Sequence, residues 1–458
     1  MKYHILTLGC PKNTVDSEGM DGLLSAAGHT AVAALGDADL IIVNTCSFIA
    51  AARDETLQTL QQIAAAKRPG QRLIAAGCMA QSHHAAVAAI PGVDQTLSTR
   101  EWMRVVELVD ANPKQPQLAT YIPLTLTASP PPTFSPPASP PPVGYADWRT
   151  TPIRRLRNGP SAYLKISDGC NLHCAFCTIP SFKGTMASKP MAAILNEAQE
   201  LVAHGVREIV LVAQHLTDYG CDRQETDGLA RLLEALCHIL PTTTWLRLMY
   251  AYPHGINERL IAVMAQYPQI VKYLDLPLQH AHPDTLRRMR RPPDSERTQR
   301  ILSELRIAMP DIALRSTFIV GFPGETTAEF KSLLAFLEAI QFDRVGAFRY
   351  SQEPGTPAAS LPHQVRPQVI ERRWHELMQL QRDISRQRNA RWLQRQLPVL
   401  IEGQGSTNDG QALSLGRSFR DAPEVDGQVF VWGEHPVGSL VNVCVTHTSD
   451  YDLWGQPG

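Results

Sequence analysis

The chain lacks any uninterrupted apolar run approaching the length of a membrane span, about 20 residues. Residues 1–6 also lack the charged-then-apolar plan of a secretory signal. Charge of either sign is not in excess: 43 Lys and Arg against 44 Asp and Glu leave a formal net charge of −1, with a pI near 6.9. No global field therefore recruits nucleic acid or a membrane surface. Cysteine is sparse, nine in 458 residues, which excludes a disulfide scaffold. Together these absences predict a cytoplasmic protein in a reducing compartment, where clustered cysteines serve metal binding or catalysis. Its length exceeds one ordinary core and predicts roughly two to four domains. The 44% hydrophobic and 19% charged residues suit a globular fold.

What is present is a dense group of thiols: Cys170, Cys174 and Cys177 fall within eight residues, after a short apolar run and before a Pro-Ser-Phe-Lys-Gly turn. Thiolates are soft ligands that select zinc, copper(I) or iron–sulfur clusters. A structural zinc site is closed by four ligands, and a cubane iron–sulfur cluster also takes four. His173 could be a fourth ligand, but it is wedged between the cysteines. Three thiolates alone leave one metal position open, where chemistry can occur. A structural zinc knuckle is the competing reading.

Residues 1–110 read as repeated strand–helix units, with strands at 3–8, 39–44 and 72–76 and helices at 16–27 and 50–67. Such alternation predicts an open, mostly parallel α/β sheet. Each strand ends in a cysteine: Cys10, Cys46 and Cys78. Ligands of open α/β sheets bind off the carboxyl ends of the strands, so the three thiols should converge. Gly9 and Gly77 would let the backbone approach a bulky cofactor closely. Pro11–Asn13 read as a turn, and residues 15–18 as a helix cap with an acidic first turn. The alternative for the cysteines is three small buried hydrophobes.

Residues 111–150 include a Pro-rich stretch at 129–143 that can build neither helix nor sheet, and they predict an extended linker. Strand–helix alternation resumes over 151–390, with strands at 163–167, 208–213, 245–250, 273–277, 313–320 and 345–350. Six such units predict a partial or full parallel barrel with its site at the carboxyl ends. Polar or glycine-rich segments follow those strands, notably the one opening at Gln214 and Gly-Phe-Pro-Gly-Glu at 321–325. The latter suits close approach to a cofactor's ribose or adenine. The Arg-rich segment 287–291 reads either as a solvated helix end or as a contact for an anionic partner. A long Arg- and Gln-rich helix spans 365–394, and 391–458 turn to short strands, predicting a small β-barrel. Cys237 and Cys444 read as core; Cys221 lies in a loop near the predicted mouth and is not assigned as a ligand.

The spacing of the triplet, with the aromatic Phe176 before its last cysteine, resembles the radical S-adenosylmethionine (SAM) superfamily. That resemblance implies that Cys170, Cys174 and Cys177 hold a [4Fe–4S] cluster whose open iron is chelated by SAM. An electron from the cluster then cleaves SAM to a 5′-deoxyadenosyl radical. Phe176, Gln214, Gly321, Gly324 and Glu325 are the expected SAM-binding residues; no catalytic residue beyond the cluster ligands is assigned.

Along nearly its whole length the chain resembles the radical SAM methylthiotransferases, on Leu-Gly-Cys10-Pro-Lys-Asn, Asn-Thr-Cys46, Gly-Cys78-Met-Ala-Gln and the central triplet. The implied architecture is an N-terminal open parallel α/β domain, a central radical SAM (β/α) partial barrel and a C-terminal TRAM β-barrel. Cys10, Cys46 and Cys78 would bind a second [4Fe–4S] cluster that supplies or carries sulfur. One SAM would donate the methyl group and another the radical. Segments 9–18, 163–170, 273–280 and 416–427 resemble the branch that modifies the β-carbon of an aspartate in small-subunit ribosomal protein S-twelve. Its partners would be that protein, free or in the ribosome, a sulfur donor, and an electron donor such as flavodoxin or ferredoxin. Two features depart from the family pattern: the Pro-rich spacer is long, and Lys183 and Lys189 stand where members often carry arginine.

Charge bears on the branch independently. From Ala390 onward the chain has four Arg, no Lys and eight acidic residues, a net of about −4. A barrel gripping tRNA should be basic, since phosphate contacts dominate such affinity; an acidic one suits a basic ribosomal protein. The alternatives are methylthiolation of isopentenyl-adenosine in tRNA and a non-catalytic iron–sulfur or zinc protein that binds ribosomes.

Overall fold

The computed structural model describes residues 1–111, 147–151, 155 and 159–458, so most of the Pro-rich spacer lies outside the described residues. The first 111 residues form a five-stranded parallel sheet in the order β2-β1-β3-β4-β5. Its strands are β1 (Lys2–Thr7), β2 (Thr30–Ala31), β3 (Leu40–Thr45), β4 (Arg72–Gly77) and β5 (Gln95–Ser98). β3 is apolar almost throughout and buried along its whole length, as a central parallel strand covered on both faces should be. The edge strands β2 and β5 have two and four residues, too short to show periodicity.

The first helix runs Pro11–Ala26, five residues earlier than its acidic residues suggest. Pro11 occupies the first turn, where its fixed φ and missing N–H are at no disadvantage. Val15–Glu18 are therefore not a cap: Asp16 and Ser17 are buried inside the helix. Beyond β4 the Ala-rich segment is two short helices, Cys78–Ser82 and His84–Ala88, broken at His83.

Six parallel strands follow: β6 (Ser161–Lys165), β9 (Glu208–Val212), β10 (Trp245–Leu248), β11 (Ile270–Gln279), β12 (Ala313–Val320) and β13 (Arg344–Arg349). A small antiparallel ribbon of β7 (Ser167–Asp168) and β8 (Ala187–Ser188) branches off after β6. The six lie side by side in chain order, with β6 and β13 at open edges, which makes a partial barrel. Helices cover its convex side: Met191–Ala203, Gly228–Ile239, Glu258–Gln266, Ser295–Ala308 and Thr327–Ile340, then the long Pro367–Ala390. They share one large core with the strands, including Leu211, Leu233, Leu274, Phe318 and Leu377. No helix among the described residues is long and apolar enough to cross a membrane.

The last segment closes into a five-stranded barrel, β14 (Gln396–Ser406), β15 (Ala412–Ser418), β16 (Val429–Trp432), β17 (Leu440–Thr448) and β18 (Leu453–Pro457). Its loop between β15 and β16 enters the concave side of the partial barrel. Phe419 and Ala422 pack there with Tyr163, Val210, Trp245 and Tyr273. Arg417 joins Arg247 on Glu208, Asp421 pairs with Arg344 at 2.6 Å, and Asp426 accepts from Tyr273 at 2.7 Å. Three of the barrel's eight acids, Glu402, Asp421 and Asp426, are thus paired within the fold, with Arg417 and Arg420 buried among them; five acids against two arginines remain on the rest of the barrel. Cys444 is half-buried in β17 rather than in a core, because its neighbours Val443 and Val445 take the inward positions.

Candidate active site

Cys10, Cys46 and Cys78 follow β1, β3 and β4, which are neighbours in the sheet, so parallel pairing brings all three to one edge. Asn13 holds them in place. Its Nδ2 donates to Leu8 O at 2.9 Å and Thr45 O at 3.0 Å, while its Oδ1 lies 3.7 Å from Cys78 Sγ. Gly9 has φ +99°, and a Cβ there would lie 3.0 Å from Cys46 Sγ. The approach this glycine permits is that of Cys46. At Gly77 (φ +93°) a Cβ would stand 2.2 Å from Asn44 Oδ1 and 2.7 Å from Thr45 O. This glycine thus makes room for the neighbouring strand's end, not for a cofactor. Burial pushes the Cys78 thiol up to about 12; Lys183 opposes the shift, and Cys10 and Cys46 add to it.

Cys170, Cys174 and Cys177 lie on the loop between β7 and the short helix Ile179–Lys183. Backbone bonds clamp that loop to the barrel mouth: Cys170 N to Gly184 O, Ala175 N to Met289 O, and Ala358 N to Ala175 O. Burial raises the Cys177 thiol to about 12, with Cys174 and Cys170 contributing. Arg291 faces the group: its Nη1 is 3.8 Å from Cys174 Sγ, and its guanidinium lies 4.2 Å over the Tyr252 ring. The Arg-rich segment is therefore not one patch, because Arg287 pairs with Asp284, Arg288 pairs with Glu329, and Arg291 turns to the cysteines. His173 is exposed, as is Cys221, while Cys237 is buried in its helix. All six clustered cysteines are free, and each set of three presents soft donors to its own members. Such donor sets suit iron–sulfur clusters with one iron left open.

A buried charged seam joins the two cysteine sets. Lys165 pairs with Asp16 of the first helix and lies 3.5 Å from Asp168; Lys183 lies 3.0 Å from Asp168 and 3.7 Å from Asp16. Burial alone would raise the Asp168 carboxyl, but Lys183 and Lys165 hold it well below the usual range. Lys189 pairs with Glu197, so both lysines that depart from the family pattern keep a carboxylate partner.

Gln214, Gly321, Gly324, Phe176 and Glu325 all lie around the mouth. Phe176 packs edge-on against Phe322 at 6.5 Å. Gly321 and Gly324 both have φ +77°, the left-handed region that favours glycine. Glu325 is committed within its own turn: its carboxylate accepts from Gly321 N and Phe322 N and pairs with Arg373 at 2.9 Å. Burial raises this carboxyl to about 7, against the pull of Arg373. Gln214 stands apart from these four, donating to Asp168 Oδ1 at 2.6 Å, and its buried Oε1 has no partner among the described residues.

Sequence reasoning gave no functional role to Lys12, Asp16, Lys165 or Asp168, and it marked Arg291 only as part of the Arg-rich segment. A lysine closing the otherwise apolar β6 was a usable signal, since lysine is rarely fully buried unless paired. Lys12 and Asp16 looked like ordinary first-turn residues.

Residues 2–98 match the uncharacterized protein family UPF0004, residues 164–337 the radical SAM superfamily, and residues 395–457 the TRAM domain. The ribosomal protein uS12 methylthiotransferase RimO of Chloroflexus aurantiacus is 68% identical, over 100% of this chain and 99% of its own length. RimO of Herpetosiphon aurantiacus is 57% identical over the full length of both chains, and that of Geobacter sulfurreducens 40% identical over 99% of this chain and 98% of its own. Among solved structures, the radical S-adenosylmethionine methyltransferase TsrM of Kitasatospora setae, with cobalamin and a [4Fe–4S] cluster bound, superposes with a TM-score of 0.54. It is 15% identical and covers 78% of this chain and 76% of its own, a likeness of fold alone. Full-length identity at this level, with the three matched regions in order, places the chain in the RimO family of ribosomal protein uS12 methylthiotransferases.

Proposed function

We propose that this protein adds a methylthio group to the β-carbon of an aspartate in ribosomal protein uS12. The observation that carries the reading is the pairing of two free three-cysteine sets across one buried seam, in a chain matching RimO relatives end to end. Cys170, Cys174 and Cys177 would hold the [4Fe–4S] cluster that binds SAM; Cys10, Cys46 and Cys78 would hold the second, sulfur-handling cluster. When bound, these groups supply one-electron reduction of SAM and a site for sulfur.

The protein's own part is positioning. The Gly321–Gly324 turn, braced by Glu325 and Arg373, presents backbone at the mouth for SAM, with Phe176 beside it and Gln214 apart from it on Asp168. Arg291 places a positive charge against Cys174 Sγ. The seam ties the N-terminal sheet to the barrel mouth. The outward-facing acidic excess of the C-terminal barrel supports a basic protein substrate over tRNA. Electrons would come from a flavodoxin- or ferredoxin-like donor.

The test is anaerobic reconstitution, then incubation with SAM, a reductant and either uS12 or hypomodified tRNA, read by mass spectrometry. One hydrogen of the uS12 aspartate replaced by a methylthio group is the expected product. Modification of tRNA alone would overturn the substrate, and a single zinc with no iron would overturn the chemistry.

A further inference from the structure

Four lysines are buried among the described residues: Lys12, Lys165, Lys183 and Lys189. Three have carboxylate partners: Asp16 for Lys165, Asp168 for Lys183 and Glu197 for Lys189. Lys12, only 8% exposed, has no hydrogen-bond or ion-pair partner among the described residues, and its ammonium rests 3.9 Å over the ring of Tyr250. Burying an ammonium without a counter-charge is costly, and a ring face compensates only in part. The fold pairs its other buried lysines with acids, whereas the negative groups nearest Lys12, Cys10 and Asp168, act on its ammonium without forming an ion pair, so no carboxylate of the described residues holds it.

Its position suggests what is missing. Lys12 lies in the first turn of the helix Pro11–Ala26, two residues past Cys10. Tyr250 follows β10 at the barrel mouth, held in a left-handed conformation (φ 62°), with its N–H donating to Asp275 at 3.1 Å. The ammonium thus reaches from the sulfur-handling half of the site into the radical-forming half. The chemistry proposed above takes place on a carbon bonded directly to a carboxylate. A fixed cation that held the carboxylate would place that carbon one bond away, beside Cys10 and at the mouth. Such orientation contributes to rate as much as to affinity.

We propose that Lys12 is the anchor for the side-chain carboxylate of the substrate aspartate. This rests on the uS12 reading. The anchor selects aspartate over asparagine, and over a neutral nucleobase, by supplying a buried counter-charge for the carboxylate. Tyr250 supports the stem and face of the lysine and excludes water from the pair.

The experiment measures binding of recombinant uS12, and of uS12 with its target aspartate changed to asparagine, to the reconstituted full-length enzyme. Lys12→Met, Lys12→Gln and Lys12→Arg are compared with wild type at matched iron content. Wild type should prefer the aspartate form by on the order of 10- to 100-fold, the usual worth of a charged hydrogen bond. Lys12→Met and Lys12→Gln should bind both forms equally, at the wild-type affinity for the asparagine form, and Lys12→Arg should restore part of the preference. In turnover, the two neutral variants should still release 5′-deoxyadenosine while methylthiolated product falls. Full retention of the preference in both neutral variants, with wild type still modifying uS12, overturns the anchor and leaves the function standing. If wild type neither modifies uS12 nor distinguishes the two forms, the function and the anchor fall together.

Discussion

Asp16, in the first helix of the N-terminal sheet, and Lys165, at the end of the first strand of the partial barrel, form an ion pair 149 residues apart in sequence, with side chains only 3% and 1% exposed. Lys183 and Asp168 complete the group from the loop that carries the second cysteine set. A pair this deep contributes little net stability over an apolar contact, but removing one partner strands a charge. It also specifies which helix face meets the barrel, and so where Cys10 sits relative to Cys170.

Asp16→Asn should therefore destabilise the protein by about 3–5 kcal/mol, since Lys165 loses its nearest counter-charge in a dry site. Equilibrium urea unfolding measures the loss. Limited proteolysis should also release the N-terminal sheet as a unit before the rest unfolds. A loss within 1 kcal/mol would show that the seam is more hydrated than its burial indicates.

Glu208 carries the corresponding role at the other end of the barrel, where Arg247 and Arg417 both bond its carboxylate. Burial would raise its pKa, but the two arginines hold it down to about 2 from the ordinary 4.5. A depressed carboxyl contributes stability that is present above about pH 4.5 and disappears as pH falls from there toward about 2. Glu208→Gln should cost about 3–5 kcal/mol at pH 7. The gap between wild type and variant should narrow steadily below pH 4.5 in urea titrations. A gap independent of pH would refute the linkage.

Gly77→Ala should damage the first cysteine set without touching a thiol. The new methyl would meet Asn44 Oδ1 at 2.2 Å and the Thr45 backbone at 2.7 Å, and φ +93° is strained for any residue with a Cβ. Positive-φ strain and overpacking together amount to about 2–4 kcal/mol. After reconstitution, iron content should fall toward half of wild type, while SAM cleavage persists.

The two cysteine sets should separate functionally. Two cubane clusters correspond to about eight irons per chain, and Cys170→Ala or Cys46→Ala should each leave about four. Cys170→Ala should abolish 5′-deoxyadenosine formation. Cys46→Ala should retain some while losing methylthio transfer. Equal loss of both activities in the two variants would contradict separate roles.

Most of the architecture was legible because it is written in local periods. The apolar run at 40–43 and the six later strands announce parallel sheets, and the triplet's spacing is a ligand pattern within one loop. What escaped was short or long-range. β2 has two residues and leaves no periodic trace. The start at Pro11 was hidden because Asp16 and Glu18 resemble an acidic first turn; in the fold Asp16 answers Lys165, and Glu18 pairs with Arg155. The charge count from Ala390 onward took the residues of 416–427 as surface, yet Arg417, Asp421 and Asp426 turn into the partial barrel and pair there.

The sequence by itself determined the six thiols, their grouping in threes and the three successive folds that carry them. Those depend on spacing along the chain and on strand ends, which local physics dictates. Tertiary structure alone decided which charges face which. Asp16 with Lys165 and Glu208 with Arg417 are brought together only when separate folds dock. The placement of the Lys12 ammonium over Tyr250 has the same origin. In water a lysine two residues past a cysteine is unremarkable; only burial between two docked domains sets its ammonium over Tyr250 at the barrel mouth.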